Sequence, residues 1–366
     1  MPRARTDNLF FISVAVLVAA GLLVFLSASM GLWNREGIDP VSITVKQILI
    51  GLVGGIIACN FTSRLDYKLW RKWSPLLFLG SIILTLLVFV PGIGLDSGGA
   101  RRWIDLKIIS FQPSEFLKIS FIIYFAALLS KFRGTTRSWT ESLLPFAILS
   151  GLAGAVLVLQ PDIDTFAVIC FSGIAMLIVA GAKWRHIGLI ILIGLIGIGA
   201  LFYIKPYIKD RILTFLDPAR DPHRSGYQIQ QSLIAIGSGG LSGRGFGQSI
   251  QKFGSLPEPI GDSIFSVAAE EFGFIGTTAL VFLYMFFFLR GLKIASHAAD
   301  SFGRLITVGI VILIVSQSFL NISAMLGLFP LSGIPLLFIS HGGTALFVTL
   351  AEIGIIFNVS KYGSRV

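Results

Sequence analysis

SLPEPIGDSIFSVAAEEFGFIG, residues 255–276, sets a short stretch rich in Pro and Gly against an apolar one, with acids in both. Asp262 stands where the apolar part opens, and Glu270 and Glu271 lie inside it. The apolar part runs on through TTALVFLYMFFFL with no further charge before Arg290. That length crosses a bilayer, since about 20 residues span ~30 Å of hydrocarbon. Acids at the mouth of and within such a segment are costly, and they mark function by default.

The whole chain reads the same way. Its 366 residues are 54% hydrophobic and 13% charged, with a mean hydropathy of +0.84, which leaves too little polar surface for a soluble globule. Apolar runs lie near 9–30, 43–61, 75–92, 113–130, 143–159, 165–182, 187–204, 264–289, 305–325 and 336–357. The expectation is an all-α, polytopic membrane protein of about ten helices, one domain over 1–366, with a long outer loop at about 205–262. The first run, behind Arg3 and Arg5, exceeds the 7–15 apolar residues of a signal peptide and reads as an uncleaved anchor. Alternate loops divide the basic residues unequally: 16 of the 29 fall on the side of the termini, six in the short loops opposite and seven in the long loop. The positive-inside rule therefore predicts that both termini are cytoplasmic.

Several function classes drop out. The net charge of +10 is spread over many loops and is no nucleic-acid footprint. His186, His223, His297 and His341 show no metal-ligand spacing. Cys59 and Cys170 sit in apolar runs, where a thiol behaves as a small hydrophobe. Residues 237–247 hold six glycines in eleven but no P-loop pattern. They read either as a flexible outer loop or as a place where backbone approaches another chain or a phosphate-bearing ligand closely.

The polar residues gather on one face of the membrane: GGARRWIDLKIISFQPSEFLK (98–118), QPDID (160–164), the long loop, and LFPLSGIPLLFISHGG (328–343). In the last of these, Pro and Gly at membrane depth predict a broken helix lining a cavity. GGARRWI with FQPSEFLK, QPD followed by Thr165, YQIQQSLIAIGSGGLSGRGFGQSIQKF, LPEPIGDSIFSVAAEEFGFIG and GIPLLFISHGG together resemble the signature blocks of the SEDS family, the FtsW/RodA/SpoVE proteins, in the family's order and over nearly the whole chain. QSIQKF is more similar to the division-type FtsW branch. Asp164 stands where the family commonly has Gly, and His341 where it commonly has Tyr.

The resemblance implies a peptidoglycan glycosyltransferase of the bacterial cytoplasmic membrane, acting in division or elongation. It would polymerise lipid II into β-1,4 glycan strands with release of undecaprenyl pyrophosphate. Asp262 matches the family's essential aspartate and would be the general base. Arg101, Arg102 and Lys118, then Arg244 and Lys252, are candidate cations for the pyrophosphate, and the resemblance adds Trp103, Glu115, Gln160, Asp162, Gln248, Glu258 and Ser340 as substrate-binding candidates. It permits a divalent cation, Mg or Mn, without identifying ligands. The implied partners are a class B penicillin-binding protein, since the outer loops show no S-x-x-K transpeptidase signature, and other membrane proteins of the division or elongation complex.

Each residue also has a plainer reading. Asp262 can be the N-cap of the helix it precedes. Glu115 and Lys118, three apart on a helix opened by Pro113, can be a structural ion pair. Arg101 and Arg102 can be headgroup anchors beside an interfacial Trp103. Glu270 and Glu271 either pack with partners or are protonated, or else they help to shape the site. A lipid II flippase would use the same cations without needing Asp262, and a scaffold for the synthesis complex would need neither.

Overall fold

The computed structural model describes residues 7–33, 37, 39–97, 100–105, 110–132 and 138–363. Arg3, Arg5, Arg35, Lys107, Arg133, Arg137 and Arg365, used in the charge count, lie outside the described residues, as do Gly98 and Gly99 of the first signature block.

Ten helices follow the ten apolar runs. They are α1 (Asn8–Met30), α2 (Pro40–Arg64), α3 (Tyr67–Leu86), α4 (Pro113–Leu129), α5 (Trp139–Leu159), α6 (Ile163–Val179) and α7 (Trp184–Ile204), then, after two shorter helices, α10 (Ile264–Ser296), α11 (Ser301–Met325) and α12 (Gly343–Tyr362). Eight of them are long and apolar enough to cross a bilayer by length and composition, and α4 and α6, at 17 residues each, fill the other two positions. The chain is a multi-pass membrane protein. The helix ends follow local chemistry. Asp7 caps α1 by accepting from Phe10 N at 2.8 Å, Pro113 opens α4 at its first turn, and Ser138 and Glu141 form a capping box on α5.

Among the eight long helices, α11 and α12 are the most buried and α7 is the least. Helix α12 packs along α2, α11 against α6 and α10, α10 against α1, and α3 against α4. Three features depart from a plain bundle. A small antiparallel sheet, β1 (Gly94–Ser97), β2 (Ala100–Asp105) and β3 (Ser110–Phe111), precedes α4. The long loop carries two helices, α8 (Pro206–Leu216) and α9 (Ser225–Ser238). Residues 331–342 are non-helical, so the last span begins at Gly343 and not near 336, which is the broken segment that Pro335 and the glycines foretell.

The glycine run serves this chain's own backbone. Helix α10 is interrupted at Gly273, whose φ of 65° suits glycine. Arg244 N and Gly245 N donate to Glu270 O and Glu271 O at 3.0 Å each. Phe274 N and Ile275 N donate back to Gly240 O and Leu241 O at 2.9 and 3.1 Å. A Cβ on Gly243 would lie 2.1 Å from Glu271 O, so only glycine admits this approach. The loop is a brace on a broken helix.

Candidate active site

Asp262 comes to its place through four consecutive tethers. Ile260 O accepts from His341 N at 2.6 Å, Gly261 O from Ser340 Oγ at 2.8 Å, and Asp262 O from Asn321 Nδ2 at 2.9 Å. Ser263 Oγ accepts from Gln228 Nε2 at 3.0 Å. Before them, Glu258 turns the chain at φ 45°, its carbonyl accepting from Gly261 N and Ser263 N at 3.1 Å. The N-cap of α10 is Ser263, with no side-chain capping bond at that end, so the capping reading of Asp262 does not hold. Its carboxylate faces the site.

Gly333 is the centre of that site. A Cβ there would lie 3.6 Å from Arg102 Nη1 and 3.9 Å from both Arg211 Nη2 and Asp262 Oδ2. Three charged groups from three distant parts of the chain thus converge on one small-residue position, leaving room between them. Arg102 arrives through a β-bulge: the register pairs Leu95 with Trp103 and Asp96 with Arg101, and Arg102 has no cross-strand partner. Bulges re-aim a side chain, and this one turns the guanidinium onto the 160–164 turn. Arg102 Nε donates to Gln160 O at 3.3 Å, Nη2 donates to Pro161 O, and Nη1 lies 3.9 Å from Asp162 Oδ1. Arg101 stays exposed on the strand, and Trp103 is half-buried.

Burial, reinforced by the negative charges of Glu258 and Asp164, pushes the Asp262 carboxyl up to about 7, against the opposing pull of Arg211 and Arg102. A carboxyl that titrates near neutrality beside fixed cations is suited to moving a proton. A cleft of about 740 Å³ adjoins it through Arg102 and Arg211, and is lined also by Tyr207, by Arg220 and Arg224, and by the acids Asp210 and Asp221.

The other candidates divide into two groups. Glu115 and Lys118 form a buried ion pair at 2.8 Å, and Lys118 Nζ also donates to Gln317 Oε1 at 2.6 Å. Gln317 Nε2 in turn donates to Pro335 O at 3.2 Å, so this network braces the 331–342 segment from beneath. Gln160 Nε2 donates to Thr85 O at 2.7 Å, anchoring its turn on α3, and Asp162 Oδ2 accepts from Ser114 Oγ at 3.4 Å. Gln160 Oε1 and Asp162 Oδ1 are buried without a hydrogen-bond partner.

Arg244, Gln248 and Lys252 belong to the glycine brace. Lys252 is fully buried and pairs with Glu271 Oε1 at 2.7 Å, which also accepts from Ser27 Oγ at 2.5 Å. Arg244 Nε lies 3.3 Å from Glu270 Oε1, and Glu270 accepts from Ser249 Oγ and the Ile250 and Gln251 amides at 2.6, 3.1 and 3.2 Å. Gln248 is exposed. These contacts run to α1 and α10 and not to Asp262. Among the described residues no group of three or more His, Cys, Asp or Glu is placed to hold a metal ion.

A polytopic helical bundle with an arginine-flanked carboxylate beside a broken span defines a multi-pass membrane protein with a polar site. The chain belongs to the FtsW/RodA/SpoVE family of cell cycle proteins, whose model matches residues 7–365. It is 40% identical over 360 residues to stage V sporulation protein E of Bacillus subtilis (strain 168), covering 98% of each chain. It is 38% identical over 354 residues to a probable peptidoglycan glycosyltransferase FtsW of Geobacter sp. (strain M18), covering 97% of this chain and 96% of the relative. Among solved structures it resembles a chain described under the structural coordination of polymerization and crosslinking by a peptidoglycan synthase complex, with a TM-score of 0.79, 29% identity and 97% coverage of both.

Proposed function

We propose that this chain is a peptidoglycan glycosyltransferase that polymerises lipid II, with Asp262 as general base. The observation that carries the reading is the convergence of Asp262, Arg102 and Arg211 on Gly333, together with an Asp262 carboxyl that titrates at about 7. The GlcNAc 4-hydroxyl of one unit attacks the anomeric carbon of another. The new C–O bond forms as the bond from that carbon to the lipid pyrophosphate breaks, and the hydroxyl proton passes to Asp262. Single displacement at an α-linked donor gives the β-1,4 link by inversion, and pyrophosphate leaves without a general acid. Charge gathers on the pyrophosphate as it departs, and fixed guanidinium groups in a half-buried cleft stabilise it. Arg102 faces that position. Glu115 and Lys118 act at one remove, by holding the 331–342 segment through Gln317.

The reading extends to the assembly. A class B penicillin-binding protein would supply crosslinking, in keeping with the synthase complex of the structural relative. Both termini lie in the cytoplasm on the charge asymmetry, and Asp262 then faces the outer side. The test is conversion of lipid II to glycan by the purified chain with such a partner, with tags at 219–226 and at the C-terminus to report sidedness. Absence of polymer from the wild-type complex, with lipid II transported across vesicles instead, would replace the polymerase with a flippase.

A further inference from the structure

The turn at residues 160–164 holds two arginines, and the second was not legible as a site residue in the sequence. Arg211, on α8, places Nη1 2.6 Å from Asp164 Oδ2, in the first turn of α6. Arg102 is held a few residues away by the carbonyls of Gln160 and Pro161. The guanidinium of Arg211 is planar, so fixing one amino group on Asp164 fixes where the other points. That other group, Nη2, is the one that faces Gly333 together with Arg102 Nη1 and Asp262 Oδ2. Both partners are largely removed from solvent, Arg211 being 28% exposed and Asp164 13%.

We infer that Arg211 is a second cation for the diphosphate of the lipid-linked donor, and that Asp164 is the positioning residue that aims it. The inference rests on the glycosyltransferase reading above. Without the Asp164 carboxylate, Arg211 would have no such partner to set its rotamer. This chain instead fixes the guanidinium before substrate arrives, which removes part of the ordering entropy that a long side chain loses on binding.

The experiment measures binding of geranylgeranyl diphosphate to the purified full chain in detergent, beside lipid II turnover and thermal stability. Arg211→Ala should weaken binding by about tenfold or more, with Arg211→Lys recovering part. Asp164→Asn removes a negative charge, which by itself favours an anion, so its bare effect does not decide the matter. The deciding quantity is the change in its effect between the wild-type background and Arg211→Ala. A difference of about threefold or more, with Asp164→Asn the less favourable when Arg211 is present, supports positioning. Equal effects in both backgrounds would overturn it.

The pH profile of kcat/KM checks separately that both groups face Asp262. The charged groups facing Asp262 are Glu258, Asp164, Arg211 and Arg102. Loss of Arg211 should shift the acid limb to higher pH, and loss of the Asp164 charge should shift it lower. If the wild-type chain polymerises lipid II while Arg211→Ala binds the diphosphate and turns over normally, the inference fails and the glycosyltransferase reading stands. If the wild-type chain does not polymerise lipid II, that reading itself fails.

Discussion

Asp262→Asn separates chemistry from structure at this site. The backbone of residues 260–263 is held by His341 N, Ser340, Asn321 and Gln228, and none of these bonds uses the Asp262 carboxylate. Asn therefore keeps the tethers and the shape while losing the ability to take a proton. Loss of a general base predicts a fall in kcat of about 10² or more, equivalent to roughly 2.7 kcal/mol of barrier, with thermal stability and lipid II binding close to wild type. The wild-type pH profile supplies the companion number. With the carboxyl pushed up to about 7, roughly a tenth of the base is ionised at pH 6 and about nine-tenths at pH 8. kcat/KM, which reports the free enzyme, should rise about tenfold across that window, because the base works only in its charged form. The assay is glycan formation from lipid II in reconstituted membranes with the partner present, from pH 5.5 to 8.5. A near-normal rate for Asp262→Asn would refute the assignment and turn the search to Glu258, Glu115 and Asp162, and a flat wild-type profile would refute the titration.

Two predictions concern stability. Lys252→Met leaves the Glu271 carboxylate buried without its cation and should lower stability by about 3–5 kcal/mol. Adding Glu271→Gln should restore more than half of that loss, and a melting point unchanged by Lys252→Met would contradict the pairing. Both carboxylate oxygens of Glu352 on α12 are buried without a hydrogen-bond partner, beside an apolar cavity of about 410 Å³. Glu352→Leu should therefore raise stability by about 1–3 kcal/mol, read as a higher melting point in detergent, and a lower one would show that the carboxyl has a structural role.

Apolar runs located the ten helices, because a helix of about 20 apolar residues spans the hydrocarbon, and the polar blocks marked the segments that meet around Asp262. What sequence could not show depends on contacts between distant segments. Arg101 and Arg102 look equivalent in GGARRWI, and only the bulge opposite Leu95 and Asp96 decides that Arg102 turns to the 160–164 turn. Arg211 was one of seven basic residues in the long loop, with no motif to distinguish it until α8 set it against Asp164. The same holds for Asn321 and Gln228, which look like unremarkable polar residues in helices yet hold Asp262 and Ser263. The glycines of 237–247 point to another chain or a phosphate-bearing ligand, whereas the close backbone approach in the structure is to the kink at Gly273 of the same chain. Glu270 and Glu271 answer to that brace, which fixes where α10 begins and so, at one remove, where Asp262 stands.

Charge balance at the site yields one further expectation. Asp262 is faced by two acids, Glu258 and Asp164, and two cations, Arg211 and Arg102. In the free enzyme the opposing charges offset each other, and burial is the largest cause of the raised carboxyl. A bound diphosphate engages the two guanidinium groups and adds negative charge of its own. Both effects disfavour the charged form of Asp262. The base should therefore titrate at a higher pH in the substrate complex than in the free enzyme. Because kcat/KM reports the free enzyme and kcat the complex, the acid limb of kcat should lie above that of kcat/KM. Glu258→Gln should lower both limbs while keeping their order, since it removes a negative charge present in either state. Initial rates across pH at subsaturating and saturating lipid II measure the two limbs. If the kcat limb coincides with that of kcat/KM or falls below it, the diphosphate does not sit against Arg102 and Arg211 when the proton moves, and the leaving group must be placed elsewhere in the cleft.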